Sequence, residues 1–226
     1  MRSPPVLAQV PLFTGLAEAE LEALASSLRR RSYAKGEVIF HQEDPGSACY
    51  IVETGRVKIV AASADGKQVV LALLGPGDLF GEMALLDGEP RSADAVVVEA
   101  CQLLTLQRDD FLAFLRSNCD ASLKLMAALA RRLRRTDEFL QDAVFLDVSG
   151  RLAKALLDLG EGQGQKMPDG SLVTPRLTQG ELAALVGATR ESINKWLGYY
   201  RDRGLVRYEG GRVTIRKPQE LRRYIY

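Results

Sequence analysis

The 226-residue sequence is poor in the side chains that build metal centres and disulfide frameworks. Its three cysteines, Cys49, Cys101 and Cys119, are far apart and form no CxxC pair, which argues against disulfide, zinc and iron–sulfur sites. The single histidine, His41, cannot by itself build a multi-histidine metal centre, and a hydrolase triad on this one imidazole is disfavoured. We therefore expect reduced thiols, no bound metal and no enzymatic activity.

Long apolar runs are also missing. No stretch of about 18 apolar residues is present to form a membrane-spanning helix. The opening Met-Arg-Ser-Pro-Pro lacks the charged and then apolar layout of a signal peptide. Because 46% of the residues are hydrophobic, the chain has enough apolar surface for substantial cores. We expect a cytoplasmic protein with no membrane partner.

The net charge of +1 conceals an uneven distribution of charge along the chain. Residues 1–149 carry 16 basic and 21 acidic side chains, a net charge of −5. Residues 150–226 carry 14 basic and 8 acidic side chains, a net charge of +6. A basic C-terminal third on an acidic body suggests that this third approaches phosphate groups, although many basic faces are merely solvated.

Short β-type runs follow an apolar-faced helix predicted from Ala17 to Leu28. The runs are Val38–Phe40, Tyr50–Glu53, Arg56–Val60, Gln68–Leu74, Ala95–Val98 and Leu103–Gln107. The turn signals between them are Asp44-Pro45-Gly46, Thr54-Gly55, Asp65-Gly66, Gly75-Pro76-Gly77 and Asp87-Gly88. This spacing of about 8–12 residues predicts an antiparallel β-roll. Further along, Gly160–Gly164 resembles a flexible loop.

A long helix is predicted from about Ala121 to Val144. Residues spaced alternately by three and four form a narrow seam along it: Leu123, Met126, Ala130, Leu133, Asp137, Leu140 and Val144. Such a seam over three heptads favours a partner helix over packing on the helix's own domain, so we predict a homodimer through residues 121–144. In a parallel dimer Asp137 would face its own copy, at a cost in stability, unless the helices splay there and the carboxylate is hydrated.

A helix-turn-helix is predicted between Thr178 and Arg203. Thr178 and Glu181 have the spacing of a capping box, so the first helix begins at Gln179, with Leu182 and Leu185 on its buried face. Gly187 ends that helix in a left-handed turn. Thr189 then caps a second helix, in which Ile193, Trp196, Leu197 and Tyr200 form the packing face.

The opposite face of the second helix carries groups that suit DNA. It presents Arg190, Glu191, Asn194, Lys195 and Arg201. Arginine binds guanine N7 and O6, and glutamate accepts from cytosine N4, so Arg190 and Glu191 are the expected base readers. After Gly204, Leu205–Tyr208 and Arg212–Ile215 flank Glu209-Gly210-Gly211 as a hairpin wing. Arg207, Arg212 and Arg216 are placed there to meet phosphates.

Several motifs together resemble the cyclic-AMP receptor protein (CRP/FNR) family of bacterial regulators over nearly the whole chain. They are Tyr50-Ile51-Val52-x-x-Gly55-x-Val57-Lys58-Ile59, Phe80-Gly81-Glu82-Met83-Ala84-Leu85-Leu86, Pro90-Arg91-Ser92-Ala93, Ala130-Arg131-Arg132-Leu133, Phe145-Leu146-Asp147-Val148-x-Gly150-Arg151 and Val186-Gly187-Ala188-Thr189-Arg190-Glu191-Ser192. The resemblance implies an α+β fold with an N-terminal antiparallel β-roll of cyclic-nucleotide-binding type, a long dimerisation helix and a C-terminal winged helix-turn-helix. We expect these domains over 1–118, 119–146 and 147–226.

The resemblance also implies a cyclic AMP effector. Glu82 would hold the ribose 2′-hydroxyl and Arg91 with Ser92 the cyclic phosphate, assisted by backbone near Gly81, Met83 and Ala93. A guanidinium matches a phosphate, and a carboxylate accepts from a sugar hydroxyl. The open alternative is that Glu82 and Arg91 pair with each other in a relative that binds no nucleotide.

On the long helix, the resemblance implies that Thr136 hydrogen-bonds adenine, as the matching residue does in the best-known member of the family, whereas Asp137 stands where that member has serine. An ionised carboxylate accepts from the adenine amine but cannot donate to the guanine carbonyl. Asp137→Ser is therefore expected to change the preference between cyclic AMP and cyclic GMP.

The implied partners are double-stranded DNA and RNA polymerase. DNA contacts are expected from Thr178, Thr189, Arg190, Glu191, Ser192, Asn194 and Lys195. Because lysine replaces an arginine of the family at Lys195 and lacks its bidentate fork, the near-palindromic site is expected to be only TGTGA-like. The first alternative is a regulator of the same fold that is active without nucleotide. The second is an enzyme built on the roll, for which the sequence lacks the metal ligands. The third is a nonspecific nucleic-acid-binding protein, whose affinity would fall with salt equally for all DNA sequences.

Overall fold

A computed structural model describes residues 6–7, 10–62 and 68–225 of the chain. The contacts within it define two compact units. One comprises Met1–Lys67 and Leu71–Arg134, and the other comprises Gln68–Val70 and Arg135–Tyr226. The predicted turn at Asp65-Gly66 lies outside the described residues, and the predicted boundaries of three domains remain predictions.

The N-terminal elements form an antiparallel sheet with short helices. A 3-10 turn at Pro11–Phe13 is followed by α1 (Glu18–Ser27), β1 (Arg29–Tyr33), β2 (Val38–Phe40), β3 (Ala48–Ala62), β4 (Gln68–Leu74), β5 (Leu79–Phe80), α2 (Met83–Leu86), β6 (Asp94–Gln107) and α3 (Arg108–Ser117). The strand order is β1-β6-β3-β4, with β2 paired to β6 and β5 paired to β3. These strands are the predicted roll.

Strands β3 and β6 are longer than predicted, and the Thr54-Gly55 signal does not end a strand. Ile51 pairs with Leu104 and Lys58 with Val96, so that one ladder continues through both halves of β3. The register shifts around Thr54 and Arg56, and Gly55 has φ +81°. A Cβ at Gly55 would lie 2.3 Å from the Ala100 carbonyl oxygen. The glycine therefore permits a close crossing of β6 at a bulge.

Two apolar clusters hold the roll together. One joins strand residues such as Ile51 and Leu104 to Phe111 of α3 and to Leu125 of the long helix. The other contains Val52, Phe80 and Val97, with Tyr33 and Ile59 packed against it. The long helix is therefore anchored to the roll by its own buried stripe.

The long helix α4 covers Cys119–Phe145, slightly more than predicted. Ala121 and Leu125 are its buried residues. The apolar seam residues are on a different stripe, with Leu133 62% and Leu140 63% exposed. The seam thus does not pack on its own domain, and the intramolecular interpretation of the heptad pattern is wrong.

The C-terminal elements form a helical domain with a small sheet. They are α5 (Val148–Gly162), β7 (Gln165–Lys166), β8 (Leu172–Val173), α6 (Gln179–Val186), α7 (Arg190–Asp202), β9 (Val206–Glu209), β10 (Arg212–Ile215) and α8 (Pro218–Arg222). The sheet order is β7-β8-β10-β9. Helices α6 and α7 are the predicted helix-turn-helix, and β9 and β10 are the predicted wing.

The flexible loop predicted at Gly160–Gly164 is wrong, because α5 continues to Gly162. A Cβ at Gly160 would lie 2.9 Å from Leu172 Cβ, and one at Gly164 would lie 2.3 Å from the Val173 carbonyl oxygen. Two of these glycines therefore serve close packing against the small sheet.

The predicted α+β architecture, with its antiparallel roll, long helix and C-terminal helix-turn-helix, is confirmed. Within the described ranges, no helix is both long and apolar enough to cross a membrane. Cys49, Cys101 and Cys119 are all free. In the same ranges, no group of three or more His, Cys, Asp or Glu side chains could hold a metal ion.

Candidate nucleotide site and DNA interface

A tight turn before α2 forms one wall of the candidate nucleotide site. Gly81 has φ +75°, in the left-handed region that favours glycine. A Cβ there would lie 2.8 Å from Arg91 Nη1, so the position also admits the guanidinium. Glu82 then caps α2 in a helical conformation. The turn brings backbone, carboxylate and guanidinium together.

Glu82 is a carboxylate buried in the roll, with only 1% of its surface exposed. Its Oε1 accepts a hydrogen bond of 2.6 Å from Nη1 of Arg132 on α4. Its Oε2 is buried without a hydrogen-bond partner. An ionised oxygen in that condition is costly, so the site has an unused acceptor suited to a hydroxyl.

Arg91 is 4% exposed and is held by backbone carbonyls. Nη1 donates to the Gly81 carbonyl at 2.5 Å, and Nη2 donates to the Ala48 carbonyl at 2.7 Å. The guanidinium carbon lies 4.3 Å from the centre of the Phe40 ring. Nε is buried without a partner, and desolvation lowers the pKa of Arg91. Asp44 and Glu82 act on this cation only through space, since among the described residues it forms no ion pair, and its Nε is an unused donor.

The loop before β3 fixes the backbone of Arg91. The Glu43 amide donates to the Arg91 carbonyl at 2.9 Å, and the Arg91 amide donates to the Asp44 carbonyl at 2.9 Å. Gly46 packs so closely that a Cβ would lie 2.4 Å from Ala84 Cβ. The loop therefore supports Arg91 and helix α2 together.

The other residues predicted to bind the nucleotide differ in how far they are buried. Ser92 and Met83 are exposed, whereas Ala93 is buried. Thr136 and Asp137 are exposed on the part of α4 that belongs to the second unit. Their assignment to the base stays a prediction.

Arg132 was not predicted as part of the site, although one of the family motifs contains it. Helical spacing places it next to the seam residue Leu133 but does not reveal which residue of the roll it contacts. The alternative in which Glu82 and Arg91 pair with each other is not what the structure shows, because the ion pair of Glu82 is with Arg132. Glu82 and Arg91 thus each keep one polar atom unused.

The capping box predicted at the start of the helix-turn-helix is confirmed. The Glu181 amide donates to Thr178 Oγ1 at 3.1 Å, and the Thr178 amide donates to Glu181 Oε2 at 2.7 Å. Gly187 ends α6 with φ +65°. Leu185 is only half-buried, and Leu182, Ala183 and Val186 supply the buried face. Both ends of this eight-residue helix are therefore fixed, one by the capping box and the other by the Gly187 turn.

Helix α7 begins at Arg190, capped by Thr189, whose Oγ1 accepts from the Ser192 amide at 3.2 Å. Ile193, Leu197 and Tyr200 are its buried residues, while Trp196 is half-buried. Ser192 is half-buried, and the other predicted DNA residues on this helix are exposed: Arg190, Glu191, Asn194 and Lys195. A packed face thus holds a polar face towards solvent, as base reading requires.

The wing pairs Arg212 with Glu209 across Gly210 and Gly211, both of which have positive φ. This is the geometry of a two-residue primed turn. Arg212 and Arg216 are exposed, while Arg207 forms an ion pair with Glu209 at 2.5 Å. Arg176 was not predicted as part of the wing, but its Nε donates to the Gly210 carbonyl at 3.0 Å.

Two family models match the chain. The cyclic nucleotide-binding domain matches residues 30–118, and the Crp-like helix-turn-helix domain matches residues 150–224. The chain is 37% identical to the CRP-like cAMP-activated global transcriptional regulator of Mycobacterium tuberculosis, over 96% of this chain and 97% of that protein. It is 42% identical to the cyclic AMP receptor protein of Thermus thermophilus, over 92% and 93%.

A solved structure agrees with this. CLP, the c-di-GMP-responsive global regulator of Xanthomonas campestris, superposes with a TM-score of 0.78 at 26% identity, over 89% of this chain and 100% of that one. Roll, long helix and winged helix-turn-helix define a DNA-binding transcription regulator with a cyclic nucleotide-binding domain. The chain belongs to the CRP/FNR family of transcription regulators.

Proposed function

We propose that the protein is a homodimeric transcription regulator that cyclic AMP activates to bind a near-palindromic, TGTGA-like DNA site. The observation that carries the ligand proposal is that two buried side chains of opposite charge lie beside the Gly81 turn, each with an unused polar atom. These are Glu82 with Oε2 and Arg91 with Nε. Buried polar atoms without partners are uncommon in proteins, and a ligand beside this turn would satisfy both of them.

The residues fit such a ligand chemically. Cyclic AMP supplies one phosphodiester charge and one ribose 2′-hydroxyl. Arg91 would offset the phosphodiester charge in a desolvated setting, where a charge-assisted hydrogen bond is strong. Glu82 would accept from the hydroxyl, and the exposed hydroxyl of Ser92 would add a neutral donor. Gly81 leaves the backbone accessible beside them.

The names of the relatives support cyclic AMP, since two of them are described as cAMP-activated or as a cyclic AMP receptor. The structurally similar regulator from Xanthomonas is described as responsive to c-di-GMP. Cyclic di-GMP is therefore the second ligand to be tested. A ligand favours only the conformation that it binds better, so activation requires tighter binding to the DNA-competent state.

For DNA, we propose that Arg190, Glu191 and Lys195 read base edges in the major groove. Thr178, Thr189, Ser192 and Asn194 would contact the backbone or flanking edges. Two recognition helices in a dimer would meet successive major grooves about 34 Å apart. RNA polymerase is the further partner that the family membership suggests.

The ligand proposal is tested by isothermal titration calorimetry of the full chain with cyclic AMP, cyclic GMP and cyclic di-GMP. We expect heat with cyclic AMP and a loss of affinity of at least about tenfold in Glu82→Gln, because a hydrogen bond to a charged group contributes about 1.5–3 kcal/mol. Glu53→Gln is the matched control, since Glu53 is bound to Arg30 at 2.6 Å elsewhere in the roll.

Three outcomes would contradict the proposal. Absence of heat, with unchanged DNA affinity, would favour the regulator that needs no nucleotide. Equal affinity in Glu82→Gln and the parent would remove Glu82 from the site. Heat with cyclic di-GMP alone would identify cyclic di-GMP as the ligand in place of cyclic AMP. The DNA proposal is tested in a separate experiment, in which the protein selects duplexes from a randomised library. We expect it to select a near-palindrome.

A further inference from the structure

A buried tyrosine of the recognition helix is bonded to the first turn of α5. The Tyr200 hydroxyl donates to the Ser149 carbonyl at 2.9 Å, and it lies 2.8 Å from Ser149 Oγ. Tyr200 is 0% exposed, and Ser149 is also buried. Because both residues are buried, bulk solvent does not compete for these hydrogen bonds, which favours a fixed geometry.

Ser149 lies where the DNA-binding domain begins. Asp147 caps α5, and its side chain accepts from the Gly150 amide at 2.8 Å. Lys154 of α5 forms an ion pair of 2.6 Å with Asp142 in the last turns of α4. The residue that Tyr200 holds is therefore in a segment already fixed to the end of the long helix.

The C-terminal segment closes over the same place. The Tyr224 ring lies edge-on to the Tyr200 ring at 5.1 Å. A Cβ at Gly150 would lie 3.0 Å from the Tyr224 carbonyl oxygen, a tight contact that a side chain could make only if its neighbours shifted slightly. Leu221 of α8 is fully buried. Tyr200 is thus enclosed by α5 and by the end of the chain.

A second attachment holds the other end of the recognition helix. Arg151 donates from Nη1 to the Leu146 carbonyl at 2.8 Å and from Nε to the Val186 carbonyl at 3.0 Å, just before the turn into α7. Arg151 fixes the turn, and Tyr200 fixes the C-terminal half of the helix. Both contacts tie α7 to the start of α5.

We propose that Tyr200 is a positioning residue for DNA recognition, whose hydroxyl sets the orientation of helix α7 through Ser149. Base reading depends on that orientation, since side chains must meet base edges within hydrogen-bond distance. Contacts to phosphates tolerate small rotations and supply most nonspecific affinity. The hydroxyl should therefore matter for selected DNA and not for scrambled DNA.

Burial raises the pKa of Tyr200 to about 12, so the hydroxyl keeps its proton at neutral pH and remains a donor. The phenylalanine variant Tyr200→Phe removes that donor and leaves the ring. It leaves the Ser149 carbonyl and hydroxyl without this partner. Tyr208→Phe is the matched control, because the Tyr208 hydroxyl has only a long contact of 3.4 Å, to the Leu177 carbonyl.

The experiment uses the full-length chain and a duplex that the parent selects from a randomised library, compared with a scrambled duplex. Fluorescence anisotropy gives both dissociation constants, with and without cyclic AMP. We expect Tyr200→Phe to bind the selected duplex about tenfold more weakly, a change of about 1.4 kcal/mol. Affinity for the scrambled duplex should stay unchanged, and Tyr208→Phe should behave as the parent.

Urea unfolding in parallel separates positioning from stability. A purely structural residue would lower the urea midpoint and leave the affinity of folded protein unchanged, which would overturn the proposal. Ser149→Ala completes a double-mutant cycle. Ser149→Ala removes the Oγ contact and keeps the bond from the Tyr200 hydroxyl to the backbone carbonyl of residue 149. We therefore expect Tyr200→Phe to weaken binding to selected DNA in that background by less than in the parent, and strictly additive losses would also overturn the proposal. If Tyr200→Phe does not fold, Ser149→Ala provides the test by itself. It must then lower the affinity for the selected duplex and leave the affinity for the scrambled duplex unchanged.

The parent's response to cyclic AMP tests the effector separately. If the parent protein selects DNA equally well without nucleotide, the proposal of a cyclic AMP effector is wrong. The comparison of Tyr200→Phe with the parent is still valid in that case.

Discussion

Glu43 is held in a backbone conformation that costs free energy. Its φ of +67° lies in the left-handed region, and it is the only non-glycine residue with positive φ in the described part of the chain. Its amide bonds the Arg91 carbonyl, so the conformation is maintained by contact with the candidate nucleotide site. Strain of this kind persists where surrounding contacts enforce it.

Replacing Glu43 by glycine should therefore stabilise the protein. Glycine adopts this φ without the Cβ clash, although it also adds entropy to the unfolded chain. We expect a net increase of about 0.5–1 kcal/mol in the free energy of unfolding. Urea unfolding monitored by circular dichroism measures the change. Glu43→Ala removes the carboxylate and keeps the strain, so a similar gain in that variant would refute the explanation.

Single residues also show where sequence reasoning reached its limit in the site. Gly81, Glu82 and Arg91 were found because a contiguous motif carries them. Arg132 was missed as a partner of Glu82, because the contact joins residues 50 positions apart and depends on how α4 packs. The sequence likewise could not predict that Glu82 Oε2 and Arg91 Nε lack hydrogen-bond partners, because this depends on their three-dimensional surroundings.

Helix α6 depends on its N-terminal cap. Thr178 and Glu181 satisfy each other's backbone amides, and the helix has only eight residues with which to offset a lost cap. Thr178→Ala should lower the free energy of unfolding by about 1 kcal/mol, whereas Thr178→Ser, which keeps the hydroxyl, should be close to the parent. Trp196 is the only tryptophan, so its fluorescence reports unfolding of this domain.

An unchanged urea midpoint in Thr178→Ala would mean that packing of Leu182 and Val186 alone fixes the helix start. Equal losses in the alanine and serine variants would point to the methyl group of Thr178 instead of its hydroxyl.

Element prediction succeeded where local rules decide and failed where long-range packing decides. Helices α4, α6 and α7 and the wing follow from periodicity, caps and turn glycines. Strand β1 was missed because Arg29-Arg30-Arg31 shows no apolar alternation, yet Arg31 pairs with Leu103 of β6. Gly55 and Gly160 were misinterpreted as turn or loop signals because a glycine in sequence does not reveal which neighbour needs its space.

At the scale of the whole molecule, the exposed seam on α4 is the main unexplained apolar surface. Leu123, Met126, Leu133, Leu140 and Val144 are all more than half exposed, while Leu125 on another stripe is buried. Exposed apolar residues at heptad spacing favour a second copy of the same helix. The proposed regulator would then present two recognition helices, as a near-palindrome requires.

Leu133→Glu should therefore dissociate the dimer. Each dimer loses two buried leucines and gains two opposed carboxylates, so we expect the association free energy to fall by at least about 3 kcal/mol, more than a hundredfold in the dissociation constant. Sedimentation equilibrium measures this directly. Arg135→Glu is the control, because Arg135 is exposed on the same helix outside the seam. A monomeric Leu133→Glu should retain affinity for scrambled DNA and lose its preference for two half-sites over one. A dimer that survives Leu133→Glu unchanged would place the interface elsewhere on the chain.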